Sequence, residues 1–335
     1  MTLSDSGWRM PAETEPHTCT WMAWPSSGYA DGDAARQAWA SVALAVAEFE
    51  PVRMVVDPSA IRDAHDWLGS AVEYFQAPLD DAWMRDIGPT FVVGPDGLGA
   101  VDWVFNGWGG QSWAQWAKDA KIARQVAEWA GATIISSEMV NEGGGIHVDG
   151  RGTVLVTETV QLDPGRNPGW TRERVEGELR RTLGVREVVW LPRGLTRDYE
   201  EFGTRGHVDI VATFPAPETV LLHVQPSPKH PDHELSGRLR AALQPTWKII
   251  DLPAPEGIED ARGPVDHSYV NHLVCNAGVV ACTFDDPRDA EALEILAAAY
   301  PGRRVVGVDA RAIFALGGGI HCITQQEPAI PGGES

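Results

Sequence analysis

Apolar positions fall into short blocks that alternate between two spacings. Residues 33–49 are alanine-rich and put Trp39, Val42, Ala43 and Val46 at helical intervals, which predicts an amphipathic helix. Residues 52–56, Val-Arg-Met-Val-Val, read as a strand that Asp57 and Pro58 stop. The alternation recurs: runs rich in β-branched residues at 91–93, 154–157, 188–191, 208–214, 220–222, 279–282 and 305–308 predict strands. Residues 115–130, 172–183, 233–242 and 288–299 predict helices. The class is therefore α/β. Strands outnumber helices, and no glycine-rich phosphate loop follows the first one, so a doubly wound nucleotide-binding sheet fits poorly.

Short stretches also echo one another. Gly143-Gly144-Gly145-Ile146-His147-Val148-Asp149 resembles both Gly317-Gly318-Gly319-Ile320-His321-Cys322 and Gly206-His207-Val208-Asp209. Repeated units with related turns suggest a ring of modules or a duplicated barrel, with chance as the competitor for matches so short. No proline- or serine-rich linker is long enough to split the 335 residues, which points to one catalytic domain over 1–335 ending in a frayed tail at 329–335.

Composition narrows the class. Hydrophobic residues are 43% and charged residues 22%, the balance of a globular chain. No apolar run approaches the roughly 18 residues of a membrane span. Residues 1–10 are polar and resemble no signal or transit peptide, so the cytoplasm is the expected location. Lys and Arg number 27 against 47 Asp and Glu, a formal charge of −20 that repels nucleic acid and anionic membranes. Cys19, Cys275, Cys282 and Cys322 form no C-x-x-C pair, which argues against a zinc knuckle or a disulfide framework.

Four glycine-punctuated stretches carry the candidate chemistry. Asp81 to Thr90 sets two acids and Arg85 beside Trp83 and ends in Asp86-Ile87-Gly88-Pro89-Thr90. Asn141-Glu142 opens a triple-glycine turn. His207 and Asp209 would share one face of an extended strand. Cys322 follows three glycines, as a positioned nucleophile would. Each has a plain alternative: Arg85 and Asp86 as an ion pair, His147 and His207 as satisfied core histidines, Glu142 as a loop cap, Cys322 as a buried small hydrophobe. Together they suit attack on a guanidinium. Carboxylates grip its N–H groups, a thiolate attacks its weakly electrophilic carbon, and an imidazole protonates leaving ammonia and then activates water, without a cofactor. The rival is a metal site built on the two His-x-Asp pairs, His147/Asp149 and His207/Asp209. It leaves Cys322 and the Trp83–Asp86 stretch idle. No G-x-S-x-G elbow supports a serine hydrolase.

These stretches, with Met10-Pro11-Ala12-Glu13, Trp21-Met22-Ala23-Trp24-Pro25, Phe105-Asn106-Gly107-Trp108-Gly109-Gly110 and residues 317–326, resemble the agmatine deiminase family of the guanidine-modifying (pentein) superfamily. Bacterial peptidylarginine deiminases stand close by. The resemblance runs in order from about residue 10 to 328. It implies a five-bladed α/β propeller of ββαβ modules, and hydrolysis of a guanidine to a ureido product and ammonia through a Cys-linked intermediate. It implies Cys322 as nucleophile, Asp86 and Asp209 as guanidinium clamps, His207 as general acid and base, and Glu142 as its orienting partner. Trp83 would line the alkyl channel, with Trp24, Trp108 and Gly319 as further substrate-side candidates. It also implies a homodimer and no metal.

One region departs from the family pattern. The acid that stands four residues before the family's His is Gly203 here, the following Asn is Ile210, and Arg205 precedes His207 by two. The missing acid would hold agmatine's ammonium. Arg205 could instead bind the carboxylate of arginine or another guanidino acid, unless it faces solvent and Glu13 or Glu201 holds the amine. An amidinotransferase would use the same thiol chemistry with an amine as acceptor.

Overall fold

The computed structural model describes residues 7–256, 259–260 and 263–330. The chain opens with β1 (His17–Ala23), helix Asp33–Ala47, β2 (Val52–Val56), helix Ile61–Leu68 and β3 (Glu73–Gln76). The helix over Asp33–Ala47 forms for the reason its spacing gives: Trp39, Val42, Ala43 and Val46 are all buried on one face. Each large apolar side chain so covered contributes roughly 1.5–3 kcal/mol.

One unit then occurs four times: two antiparallel strands, a helix, and a third strand parallel to the second. It runs β4 (Thr90–Gly94), β5 (Gly97–Val104), helix Ile122–Trp129 and β6 (Thr133–Val140). The next is β7 (Ile146–Val148), β8 (Thr153–Thr157), helix Arg172–Leu183 and β9 (Glu187–Leu191). The third is β10 (Ala212–Ala216), β11 (Thr219–Val224), helix His233–Leu243 and β12 (Lys248–Pro253). A two-residue ladder, β13 (Glu259–Asp260) with β14 (Gly263–Pro264), precedes the fourth copy. That copy is β15 (Leu273–Val274), β16 (Gly278–Thr283), helix Asp289–Ala299 and β17 (Arg304–Asp309). The fifth is made from both chain ends, because β18 (Thr324–Pro328) pairs antiparallel with β1, and β1 runs parallel to β2. Five ββαβ modules make the five-bladed α/β propeller, and the ring closes through the β18–β1 seam.

Middle strands such as β8 and β16 are covered on both faces, which is why they read as unbroken apolar runs. Some boundaries differ from those the pattern predicts. Residues 208–210 form a single 3-10 turn, and only 212–216 are strand. Within 115–130 the helix is confined to Ile122–Trp129, behind a 3-10 turn at Asp119–Lys121. Strands β1, β3, β5, β6, β7, β12, β13, β14, β15 and β18 lie outside the predicted runs. Of the expected tail, residues 331–335 lie outside the described residues, as do 1–6 of the N-terminal stretch.

The five connections between modules hold the candidate site residues. They are the stretches between β3 and β4, β6 and β7, β9 and β10, β12 and β15, and β17 and β18. In turn they carry Asp86, Glu142, the pair His207 and Asp209, Asn271, and Cys322. The echoed glycine motifs are therefore equivalent corners of successive modules.

Candidate active site

Asp86 sits in a four-residue helix, Met84–Ile87, whose Met84 and Ile87 are buried among the core. One carboxylate oxygen accepts from the Gly144 amide at 3.0 Å, and the other from Trp108 Nε1 at 2.9 Å. Burial, then the charges of Glu142 and Asp209, raise its pKa against the pull of His207. The sequence alternative of an Arg85–Asp86 ion pair does not hold. Arg85 turns the other way, to Gln326 Oε1 at 2.8 Å, the His321 carbonyl at 3.2 Å and Glu13 at 3.5 Å.

Glu142 leads into the 3-10 turn Gly143–Gly145 and is fully buried. Arg166 Nε lies 3.0 Å from both of its oxygens, and His207 Nε2 lies 3.3 Å from one. Burial alone would raise its pKa, but Arg166 and His207 hold it below the ordinary value. On His207, burial opposes the ring's charge, yet Asp86, Glu142 and Asp209 outweigh it and hold the imidazolium up to about 9. The ring is charged at neutral pH. Its Nδ1 has no hydrogen-bond partner and faces Asp86 Oδ1 at 3.8 Å.

His207 and Asp209 do not share the face of a strand, because the backbone turns through Val208–Ile210. The turn still sends both side chains inward. Asp209 Oδ2 accepts from His321 Nδ1 at 2.8 Å and lies 3.7 Å from Cys322 Sγ. Its Oδ1 is buried without a hydrogen-bond partner. A buried, unpaired carboxylate oxygen is costly. Beside a thiol it is an open acceptor for a substrate N–H. Burial would raise Asp209, but His321 and then His207 and Arg85 keep it below the ordinary carboxylate value.

Gly144 shows how closely these groups converge. A Cβ there would lie 3.1 Å from both Asp86 Oδ1 and Asp209 Oδ2, and would run into His207 Nδ1. No side chain fits at that corner. The glycine leaves space for the side chains of Asp86, His207 and Asp209.

Cys322 lies in the 3-10 turn His321–Ile323, only 3% exposed. Helix Arg311–Phe314 and the glycine turn precede it, rather than a strand. Sγ stands 3.4 Å from Asn271 Nδ2. Burial and then the Asp209 and Asp86 carboxylates push the thiol well above its ordinary pKa. The resting group is a thiol. A bound guanidinium would cancel the two charges that oppose its ionisation. Gly318 brings the Trp83 ring close: a Cβ there would be 2.7 Å from that ring and 3.1 Å from Cys322 Sγ. Gly319 has a packing reason, since a Cβ would strike Asn271 Oδ1 and the Phe314 ring.

The family model for Porphyromonas-type peptidyl-arginine deiminase matches residues 9–328. The chain belongs to this family. A Streptomyces coelicolor protein, provisionally named agmatine deiminase, is 55% identical over 96% of this chain and 98% of its own. The agmatine deiminase of Ectopseudomonas mendocina is 38% identical over 97% of each chain. Among solved structures, the agmatine deiminase of Enterococcus faecalis superposes with a TM-score of 0.91 at 32% identity, covering 97% of both chains.

The remaining residues can be placed in this deiminase-family framework. Trp108 adopts a left-handed backbone, φ 56°, that carries its indole to Asp86, and its ring stacks on Trp113 at 5.2 Å. Trp83, Tyr29, Trp113 and Phe202 form a connected aromatic group, with Tyr29 stacked on Phe202 at 4.6 Å and on Trp83 at 6.2 Å. Trp24 is not part of it. Its indole donates to Asp63 at 2.8 Å from a fully buried position, so it is a core residue. Arg205 is 39% exposed in its side chain and lies 3.3 Å from Asp163, the carboxylate that also binds Arg166. Glu13 is not free to hold an amine. It is buried, 2.7 Å from His321, 3.5 Å from Arg85 and 3.7 Å from His147. Glu201 is exposed.

His147 bonds Thr213 Oγ1 at 2.6 Å, and Asp149 accepts from the amides of its own turn, Arg151 and Thr153. The two do not converge. Among the described residues no group of three or more His, Cys, Asp and Glu is placed to hold a metal ion.

Sequence reasoning passed over Arg166, Asn271 and the partner role of His321. His321 adjoins Cys322 and repeats His147 in the glycine motif, a signal that was available. Arg166 sits in Asp163-Pro164-Gly165-Arg166-Asn167-Pro168-Gly169, where nothing marks it as buried. Asn271 occupies the one module corner without a glycine signature.

Proposed function

We propose that this chain is an agmatine deiminase, hydrolysing agmatine to N-carbamoylputrescine and ammonia. The observation that carries the reading is the convergence of Cys322 with the unpaired Asp209 Oδ1, Asp86 and a charged His207 around the Gly144 corner. Asp86 and Asp209 accept from the guanidinium N–H groups. The Cys322 proton passes to bulk water as the bound cation favours the thiolate, and the thiolate forms an S–C bond to the central carbon. The imidazolium of His207 protonates one NH2 of the tetrahedral adduct, the C–N bond breaks, and ammonia departs. A thio-linked amidino group remains. Neutral His207 then takes a proton from water as its oxygen adds to the same carbon. The C–S bond breaks, the electron pair returns to sulfur, and the hydroxyl proton passes to that thiolate, which restores the Cys322 thiol and gives the ureido product. Glu142, gripped by Arg166, keeps the ring aligned through both proton transfers.

Agmatine is favoured over arginine because Arg205 already faces Asp163, and the chain is acidic overall. An isolated carboxylate would have to compete with Asp163 for that guanidinium. A homodimeric assembly in the cytoplasm accompanies this reading, and no described helix is long and apolar enough to cross a membrane.

The test is a panel of agmatine, arginine and shorter guanidino acids, assayed for ammonia without any acceptor amine. Agmatine is expected to exceed the acids in kcat/KM by at least about two orders of magnitude, above the roughly 100-fold that an apolar pocket alone achieves. Preference for a guanidino acid would replace this substrate. Ammonia release only when an amine acceptor is added would identify an amidinotransferase.

A further inference from the structure

The connection leading from β9 to His207 folds back on itself. Phe202 (φ 69°), Arg205 (φ 69°) and Gly206 (φ 117°) all lie in the left-handed region. Two are non-glycine residues, for which that conformation persists only where the surroundings over-determine it. For Arg205 and Gly206 the group that does so is Asp198, buried and outside the set that meets the substrate.

Its carboxylate accepts from the Thr204 amide at 2.6 Å, from Thr204 Oγ1 at 2.8 and 3.0 Å, and from the Gly206 amide at 2.5 Å. Its own carbonyl accepts from Arg205 N at 2.9 Å and occupies the space a Cβ on Gly203 would need. The absence of a side chain at 203 is thus a condition of this clamp. Thr204 relays the constraint. With its proton directed at Asp198, Oγ1 accepts from the His207 amide at 3.1 Å. The Thr204 carbonyl accepts from Arg166 Nη2 at 2.7 Å, and that same guanidinium grips Glu142. Both halves of the His207–Glu142 pair therefore hang from one turn.

We propose that Asp198 is a positioning residue for His207, setting through Thr204 and Gly206 where the imidazole meets Glu142 and Asp86. It touches no reacting atom. The requirement is for an acceptor-only group. Asparagine would present an NH2 to at least one of the donors that now point at the carboxylate. The charged groups around Asp198 are His207, its neighbour Arg197, and Asp266 across the packed β12–β15 connection. The kinetic consequence rests on the deiminase reading, whereas the geometric one does not.

Three variants test it: Asp198→Asn, Thr204→Val and Thr204→Ser. In Asp198→Asn and Thr204→Val, kcat on agmatine should fall by about 10- to 100-fold with KM held within about 2-fold, the cost of a reacting group displaced by less than an ångström. Thr204→Ser keeps the relaying hydroxyl and should restore most of kcat. Independently of turnover, NMR titration of labelled histidine should show the His207 midpoint lowered by about half a pH unit or more once the ring leaves its carboxylates. Folded variants with wild-type kcat and an unmoved His207 titration would overturn the proposal, even if their melting temperatures dropped. If Asp198→Asn does not fold, the Val and Ser pair at 204 decides. A wild-type protein that releases no ammonia would defeat the deiminase reading, while the His207 titration would still judge the clamp.

Discussion

Replacing His321 by glutamine probes the least obvious support of the site. The ring bridges two buried carboxylates, Asp209 Oδ2 at 2.8 Å and Glu13 Oε1 at 2.7 Å. Burial and Arg85 oppose its charge, but Glu13 and Asp209 outweigh them and hold its pKa above the ordinary 6.5. Glutamine is neutral, and its single NH2 reaches one carboxylate while its carbonyl faces the other. At least one charge-assisted hydrogen bond is lost, worth about 1.5–3 kcal/mol. If about 2 kcal/mol of this is felt in the transition state, kcat/KM falls by about 30-fold.

The pH signs follow from the directions of the shifts. A histidine raised on folding contributes stability that is full below its unfolded value near 6.5 and is lost as pH rises through the folded value. Asp209 and Glu13, both held below their ordinary 3.8 and 4.5, contribute above those values and lose the contribution as pH falls through the folded ones. The stability gap between wild type and His321→Gln should therefore be widest between about pH 5 and 6.5 and should narrow as pH rises through the folded His321 value. Urea unfolding at these pH values measures it. The acid limb of kcat/KM should also move to higher pH, because Asp209 must be ionised to receive a guanidinium. An unchanged acid limb together with a pH-independent stability gap would refute the reasoning.

Alkylation of Cys322 by iodoacetamide in the substrate-free protein should be slow at neutral pH. Its rate should still be climbing beyond about pH 9, because burial and the Asp209 and Asp86 charges favour the thiol. A plateau reached below neutral pH would show a resting thiolate instead. Trp24→Phe should leave kcat and KM unchanged and cost about 1 kcal/mol of unfolding free energy, the net worth of its bond to Asp63. In contrast, Trp83→Ala should raise KM for agmatine, since the indole packs beside Cys322. Parallel kinetics and denaturation of the two variants separate core from site.

The residues on which the proposed mechanism rests, Asp86, Glu142, His207, Asp209 and Cys322, stand out in the sequence because each lies on or beside a local motif. Those motifs prove to be the corners of successive modules, where backbone turns impose glycine. Periodicity likewise marked the helix over Asp33–Ala47 and the buried middle strands, since both patterns are local. Tertiary structure alone decided the partners. Arg166 reaches Glu142 across 24 residues, His321 reaches Glu13 across 308, and β18 closes on β1 from opposite chain ends. No local pattern encodes such pairings, because which buried charge faces which depends on how the modules close into a ring. Trp24 shows the same limit. Its motif resembled a substrate contact, yet the direction of its indole was set by packing against Asp63. The residue types specify what reaction is possible, and ring closure specifies which groups are close enough, dry enough and suitably charged to perform it.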